Sequence, residues 1–445
     1  MAQLRAPSDE QHQQEALHGE HDDVSAGNES NKKARAGLSG VLRERKVVEL
    51  ARAKRRLVEV PYTATLAHTA NALLAAGVSA VAVAAPPGHW IGAGGSMILE
   101  SDPSTGAVRK HYIGLVNLLD ILSHIAGDDD DSDEVAGDDL DRRMAVPVSS
   151  VIGHSLEGLT LWTLHPNTSI LDCMETFSKG VHRALVPLES SSENVVAVEL
   201  VESSPGYKML TQMDVVRFLF ARGAELRDVM SRTVLDLGAV NDACVLAVHG
   251  GAKVIDAVKA MRAAALTAVP VVEDDAGDET LLDASATQLS NGEHGMGKKA
   301  IETFSATDLR DCPVSWLQPW LGMSVIEFKT KVAEYRASNT AVVPGADATF
   351  TGVPAVDADT PVSAVVDTGA EEEGKEQQQP KLVTCSLEST LGEAIEAVVT
   401  RHVHRLWVVD EEGLLRGVVS LTDVLRAVRE AALGEDRELQ SIVSP

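Results

Sequence analysis

One short pattern recurs four times along this chain and constrains its fold more than any other feature. An apolar return strand runs into a helix, and an aspartate stands three residues after the polar residue at the junction. The junctions are Asn117…Asp120, Thr211…Asp214, Ser305…Asp308 and Ser420…Asp423. The last copy is the most legible. Residues 406–410 are β-rich, Asp410 to Gly413 is turn chemistry, and residues 414–419 form a second strand. Ser420 to Asp423 then opens an amphipathic helix with Val424, Leu425 and Val428 on one face. Such a junction has two uses. The helix N-terminus offers unpaired N–H groups and partial positive charge, and the carboxylate can accept from two sugar hydroxyls, so it can hold a sugar-phosphate. Ser-x-x-Asp is also close to a capping box, which needs no ligand.

Around each junction the same order returns: a lead-in strand, an amphipathic helix, a buried strand, a return strand and a helix. In the first copy the helix covers residues 66–76 and the strand 78–83, with the return at 112–116. In the second a helix starts at Ser169, the strand is 181–187, and the return is 208–210. In the third the helix is 254–261, the strand 266–272 and the return 300–304. In the fourth Thr390…Glu393 is a capping box and the helix runs to His402. The basic stretch 38–57 (Arg43, Arg45, Lys46, Arg52, Lys54, Arg55, Arg56) is expected to be one helix with a solvated face, a nuclear signal or an acidic partner being the alternative. A helix over 324–337 is grouped with the fourth repeat. Residues 87–109 are expected to be a surface hairpin, 127–141 a solvated acidic loop, and 283–297 a Gly/Ser/Asn loop.

Starts of the buried strands alternate. Repeats two and four carry His182-Arg183 and His404-Arg405, where repeats one and three carry Ser79-Ala80 and Thr267-Ala268. Repeats that pair one-with-two and three-with-four would place a carboxylate for ribose opposite an Arg and a His for phosphate. The histidines can equally cap an exposed strand end. His402 and His404 lack further ligands at metal spacing, and no nucleophile–base arrangement is present, so the chain reads as non-enzymatic.

The formal charge of −27 argues against non-specific binding to nucleic acid or an anionic membrane. Four scattered cysteines and a polar first 30 residues suit an intracellular protein, expected in the cytoplasm with the nucleus as the alternative.

The fourth repeat, VHRLWVVDEEGLLRGVVSLTDVL, resembles a CBS repeat. With TQMDVVRFL, VHRALVPLE, VPYTATLAHTANALL and PPGHWIGAGGSMILES it is similar to the plant gamma-like branch of the regulatory subunits of AMP-activated and sucrose-non-fermenting-type protein kinases. The resemblance implies an α+β fold of four CBS repeats (β-α-β-β-α) paired as two Bateman modules in a disk. It implies AMP, ADP or ATP as a ligand rather than a resident cofactor, and partners in a catalytic alpha and a scaffolding beta subunit. Ribose contacts would fall on Asp120, Asp214, Asp308 and Asp423, beside Thr211, Ser305 and Ser420. Phosphate contacts would fall on His182, Arg183, His404 and Arg405. The first repeat departs from the pattern, with Asn117 for Ser/Thr and Ser79 for the basic residue. A stand-alone CBS adaptor sensing adenosyl ligands for another enzyme is the alternative. Read this way, the chain divides into a disordered segment (1–37), repeat 1 with its leading helix (38–126), an acidic linker (127–143), repeat 2 (144–222), repeat 3 (223–311), repeat 4 (312–433, with a disordered insertion at 344–380) and a tail (434–445).

Overall fold

The computed structural model describes residues 37–85, 112–126, 137–153, 161–188, 206–242, 244–273, 286–290, 297–309, 314–340 and 382–443. Two short helices, α1 (Leu38–Glu44) and α2 (Val47–Arg52), lead the chain. The first repeat is β1 (Glu59–Pro61), α3 (Leu66–Ala76), β2 (Ala80–Ala84), β3 (Tyr112–Asn117) and α4 (Leu118–Ala126). After α5 (Gly137–Met144) comes the second: β4 (Trp162–Thr163), α6 (Ile170–Phe177), β5 (Arg183–Leu188), β6 (Gly206–Thr211) and α7 (Gln212–Ala221). After α8 (Arg227–Met230) comes the third: β7 (Cys244–His249), α9 (Val254–Ala263), β8 (Ala268–Val272), β9 (Ala286–Ser290), β10 (Ala300–Ser305) and α10 (Ala306–Leu309). Two more helices, α11 (Val314–Trp320) and α12 (Val325–Thr340), precede the fourth: β11 (Thr384–Cys385), α13 (Leu391–Thr400), β12 (Arg405–Val409), β13 (Leu415–Ser420) and α14 (Leu421–Val443).

Each repeat builds one small sheet by one rule. The lead-in strand lies parallel to the buried strand, because a helix crosses between them, and the buried strand pairs antiparallel with the return strand. The crossover helices start where the sequence signals them. Thr65, Ser169 and Thr390 each accept from the backbone N–H three residues on, and Gly77 closes α3 at φ 59°.

The segment leading into each repeat is exchanged with its neighbour. Lys46 bridges Ser169, and Pro147 bridges Thr65, so the leaders of repeats 1 and 2 sit on each other's crossover helix. Thr233 bridges Thr390 and Ser324 bridges Lys253, which repeats the exchange between repeats 3 and 4. Each bridge is a reciprocal backbone pair, as in Val47 N to Thr168 O (2.9 Å) and Ile170 N to Arg45 O (2.9 Å). This exchange breaks the helix expected over 38–57. Lys46 takes extended backbone to make its bridge, so α1 and α2 are separate and residues 53–58 are not helical.

Four apolar clusters then hold the repeats together. Ala82, Leu115, Leu185 and Met209 join the sheets of repeats 1 and 2. Val245, Val272, Trp407 and Leu415 join those of repeats 3 and 4. The expected pairing, one-with-two and three-with-four, is therefore present in the sheets. The helices join the pairs: Phe177, Leu219, Ile395 and Leu425 share a core from repeats 2 and 4, and Ile121, Met261 and Phe304 share one from repeats 1 and 3, with Phe328 added by the leader α12. Full burial of side chains such as Phe177 and Phe304 contributes about 1.5–3 kcal/mol each.

Two local expectations need correction. Residues 286–290, expected within a loop, form β9, because the outer edge of β7 offers unpaired backbone groups that Ala286 to Ser290 satisfy. Part of the acidic run is helical: α5 is held by Leu140 and Met144 against the core, and Arg143 donates to Ile125 O (2.7 Å). Beyond the fourth repeat α14 continues to Val443, with Ala432 buried and the Ser39 backbone donating to Glu435 (3.4 Å). The hairpin and the insertion at 344–380 lie outside the described residues.

Candidate functional site

At all four junctions the aspartate is nearly buried and its carboxylate faces back along the chain. Asp120 is 3% exposed and Asp308 and Asp423 are 6% exposed. One oxygen, Oδ2, accepts from the backbone N–H three residues earlier: Asn117 at 2.9 Å, Thr211 at 2.8 Å, Ser305 at 2.8 Å and Ser420 at 3.0 Å. The Thr211, Ser305 and Ser420 hydroxyls donate to the same oxygen. Capping is thus a working role of every copy. A buried carboxylate needs such donors, since desolvation otherwise drives it neutral.

The other oxygen, Oδ1, meets a cation in repeats 2, 3 and 4. Lys54 Nζ lies 2.8 Å from Asp214, Lys329 Nζ lies 2.8 Å from Asp308, and Arg426 Nη2 lies 2.5 Å from Asp423. Lys54 and Lys329 arrive from leading segments that are distant in sequence, whereas Arg426 is one turn along the same helix. Glu302, 3.6 Å from Lys329, has its carboxyl raised above the usual range, first by burial.

The His-Arg pairs explain the small residues opposite them. Arg183 Nη2 donates to Ser79 Oγ at 2.9 Å, across the seam of repeats 1 and 2. Arg405 donates to Ala268 O (2.8 Å) and Thr267 Oγ1 (2.7 Å), across the seam of repeats 3 and 4. The alternation of Arg with Ser or Thr is the two halves of one contact. Burial draws the Arg405 pKa down to about 10, opposed by the charge of Asp423. His182 is drawn down to about 4, first by burial and then by the positive charge of Arg405. His182 and His404 also accept through their carbonyls from Gln212 N and Leu421 N (3.1 Å each), satisfying the first N–H of each following helix. Gln212 Nε2 donates to Thr422 Oγ1 at 2.8 Å, so the junctions of repeats 2 and 4 adjoin.

A cleft opens between repeats 1 and 2. Lys54, Arg55, Arg56, Ser79, Arg183 and Thr211 line it, and its volume is about 20 Å³. That is room for water. Four cations around one cleft stand out in a chain of net charge −27. Lys208 is held below the ordinary lysine range, first by burial and then by the charge of Arg56. The structure therefore gathers Arg183 and Thr211 in one cleft, with Asp214 reached through Lys54. Asp120 bonds with Asn117 in the cap of α4, and Asp308, Asp423 and Arg405 belong to the other pair of repeats. Lys54, Arg55 and Arg56 were expected on a solvated helix. They lie beyond its end, where 53–58 leads into β1 and the basic side chains turn to the seam. The sequence signal was the triple cation immediately before a strand.

The CBS domain family model matches residues 379–430, the whole of the fourth sheet and the start of α14. The SNF1-related protein kinase regulatory subunit gamma-like PV42a of Arabidopsis thaliana is 51% identical over 380 residues, covering 84% of this chain and 92% of that protein. The chain belongs to this gamma-like regulatory subunit family. PV42b of the same plant is 44% identical over 388 residues, covering 87% of this chain and 95% of its own length. A Methanocaldococcus jannaschii structure, described as an archaeal homolog of g-AMPK, is 15% identical, with a TM-score of 0.49 over 86% of this chain and 99% of that one. Four α+β repeats of the gamma-like family thus carry the junctions described above. Among the described residues, no cluster of three or more His, Cys, Asp or Glu side chains could hold a metal ion, and no helix is long and apolar enough to cross a membrane.

Proposed function

We propose that this chain is the non-catalytic gamma-like subunit of an SNF1-related protein kinase, assembling with a catalytic alpha and a scaffolding beta subunit. The observation that carries this reading is 51% identity to PV42a across almost the whole of both chains. Within it, an adenine nucleotide (AMP, ADP or ATP) binds between repeats 1 and 2. Asp214 accepts from the ribose hydroxyls, and Arg183, Arg56 and Lys54 face the phosphates. Ser420, Asp423, His404 and Arg405 form the corresponding set in the fourth repeat. Support comes from the cationic lining of the first cleft and from carboxylates placed at helix N-termini. A nucleotide regulates a bound kinase only so far as it binds two conformations of the subunit unequally.

Calorimetric titration with AMP, ADP and ATP tests the ligand. Binding is expected, and Asp214→Ala or Asp423→Ala should weaken it by about 1.5–3 kcal/mol, the scale of a hydrogen bond to a charged group. Absence of binding by the wild-type chain would remove the nucleotide and leave the kinase association standing.

A further inference from the structure

We propose that Lys54 and Lys329 are built-in competitors for the ligand. Each occupies the carboxylate oxygen that a ligand hydroxyl would take, and binding exchanges the lysine for the hydroxyl and loosens the leading segment that carries it. The proposal rests on the nucleotide reading for the ligand's identity; the lysine latches can be tested without any ligand.

The two ion pairs have one geometry and two unrelated origins. Lys54 and Asp214 meet at 2.8 Å with side chains 10% and 9% exposed, and Lys329 and Asp308 meet at 2.8 Å with side chains 19% and 9% exposed. Lys54 stands eight residues after the bridge at Lys46, on non-helical chain. Lys329 stands five residues after the bridge at Ser324, on α12. Inheritance of one repeat by the next would have kept one offset and one backbone. In both cases the lysine belongs to a leader seated on the partner repeat, and it reaches the partner's junction.

The chemistry favours exchange. Oδ2 is already committed to the cap, so Oδ1 is where the carboxylate can accept from a diol. An ammonium on a flexible four-carbon stem can swing away, where a guanidinium in a fixed fork would not. Taking a buried pair apart is costly unless another donor replaces the lysine, and two hydroxyls can do so. At about 20 Å³ the first cleft has no space for a nucleoside until Lys54 leaves. A displaced Lys54 stays among Arg55, Arg56 and Arg183, where it adds to the charge facing a phosphate. A displaced Lys329 has Glu302 at hand, 3.6 Å away in this structure. Arg426 sits on the same helix as Asp423 and is 40% exposed, so this ion pair tethers no leader.

Lys54→Met tests the exchange in the full chain, with adenosine and ATP as probes and hydrogen exchange of residues 47–58 as the second readout. Adenosine should bind about tenfold tighter to the variant, having no lysine to displace, while ATP gains less because a phosphate contact is lost. Exchange of residues 47–58 should be faster in the variant without ligand, and should rise in the wild type on adding adenosine. Where Lys54→Met fails to fold, Lys54→Met with Asp214→Asn removes both charges of this ion pair and should show the same faster exchange. Lys329→Met should do the same for residues 325–340. Unchanged exchange in these variants, or adenosine bound equally by Lys54→Met and wild type, would overturn the proposal. If neither adenosine nor ATP binds either protein, the nucleotide reading falls, and ligand-free exchange alone decides whether the lysines hold their leaders.

Discussion

Arg405 donates to Ala268 O and Thr267 Oγ1 across the seam of repeats 3 and 4, and Arg183 donates to Ser79 Oγ across that of repeats 1 and 2. Removing the Arg405 side chain strands two acceptors in an enclosed place. Arg405→Ala is therefore expected to cost about 2–4 kcal/mol in urea denaturation and Arg183→Ala about 1–2 kcal/mol. His182 makes stability depend on pH. Its folded pKa of about 4 lies below the ordinary histidine value of 6.5, so the unfolded chain takes up the proton first. Its neutral form is favourable above pH 6.5, and that contribution is lost as pH falls toward 4, with about 2 kcal/mol gone at pH 5. Denaturation of wild type and His182→Gln at pH 7 and pH 5 should show the variant losing about 2 kcal/mol less over that interval. Equal losses would mean that His182 does not titrate in this way. At this scale the alternation of His-Arg with small residues was legible, because the repeats placed equivalent positions in register. Lys54 and Lys329 were not, because each pairs with a residue in another repeat and no periodicity links them.

Among the elements, the crossover helices were the most readable, since polar caps and apolar stripes are local signals. Thr390 and Glu393 cap each other's backbone N–H, so Thr390→Ala should lower stability by about 1 kcal/mol. The strands carry constraints that local signals do not show. A Cβ on Gly417 would stand 2.8 Å from Asn241 O and 3.0 Å from Val240 Cγ1, and Asn241 is bridged to the neighbouring Val418. Gly417→Ala should cost about 1–3 kcal/mol by thermal or urea unfolding, because backbone must yield. β9 and the break between α1 and α2 escaped the sequence for a shared reason. Both are dictated by an edge or a bridge on another segment rather than by local propensity.

In the whole molecule, the sheets pair repeats 1 with 2 and 3 with 4, and the helices join 1 with 3 and 2 with 4. The first pairing could be read from the alternating strand starts. The second could not, because apolar helix faces look alike whichever partner covers them. Exchange of leaders ties the two repeats of each pair at both crossover helices, so the proposed nucleotide in one seam would act on both repeats. The proposed regulatory role asks for such coupling. Size-exclusion chromatography of the purified chain mixed with alpha and beta subunits of an SNF1-related kinase tests that role most directly. One peak containing all three chains is the predicted result. A chain that elutes apart from both subunits, with and without nucleotide, would contradict it.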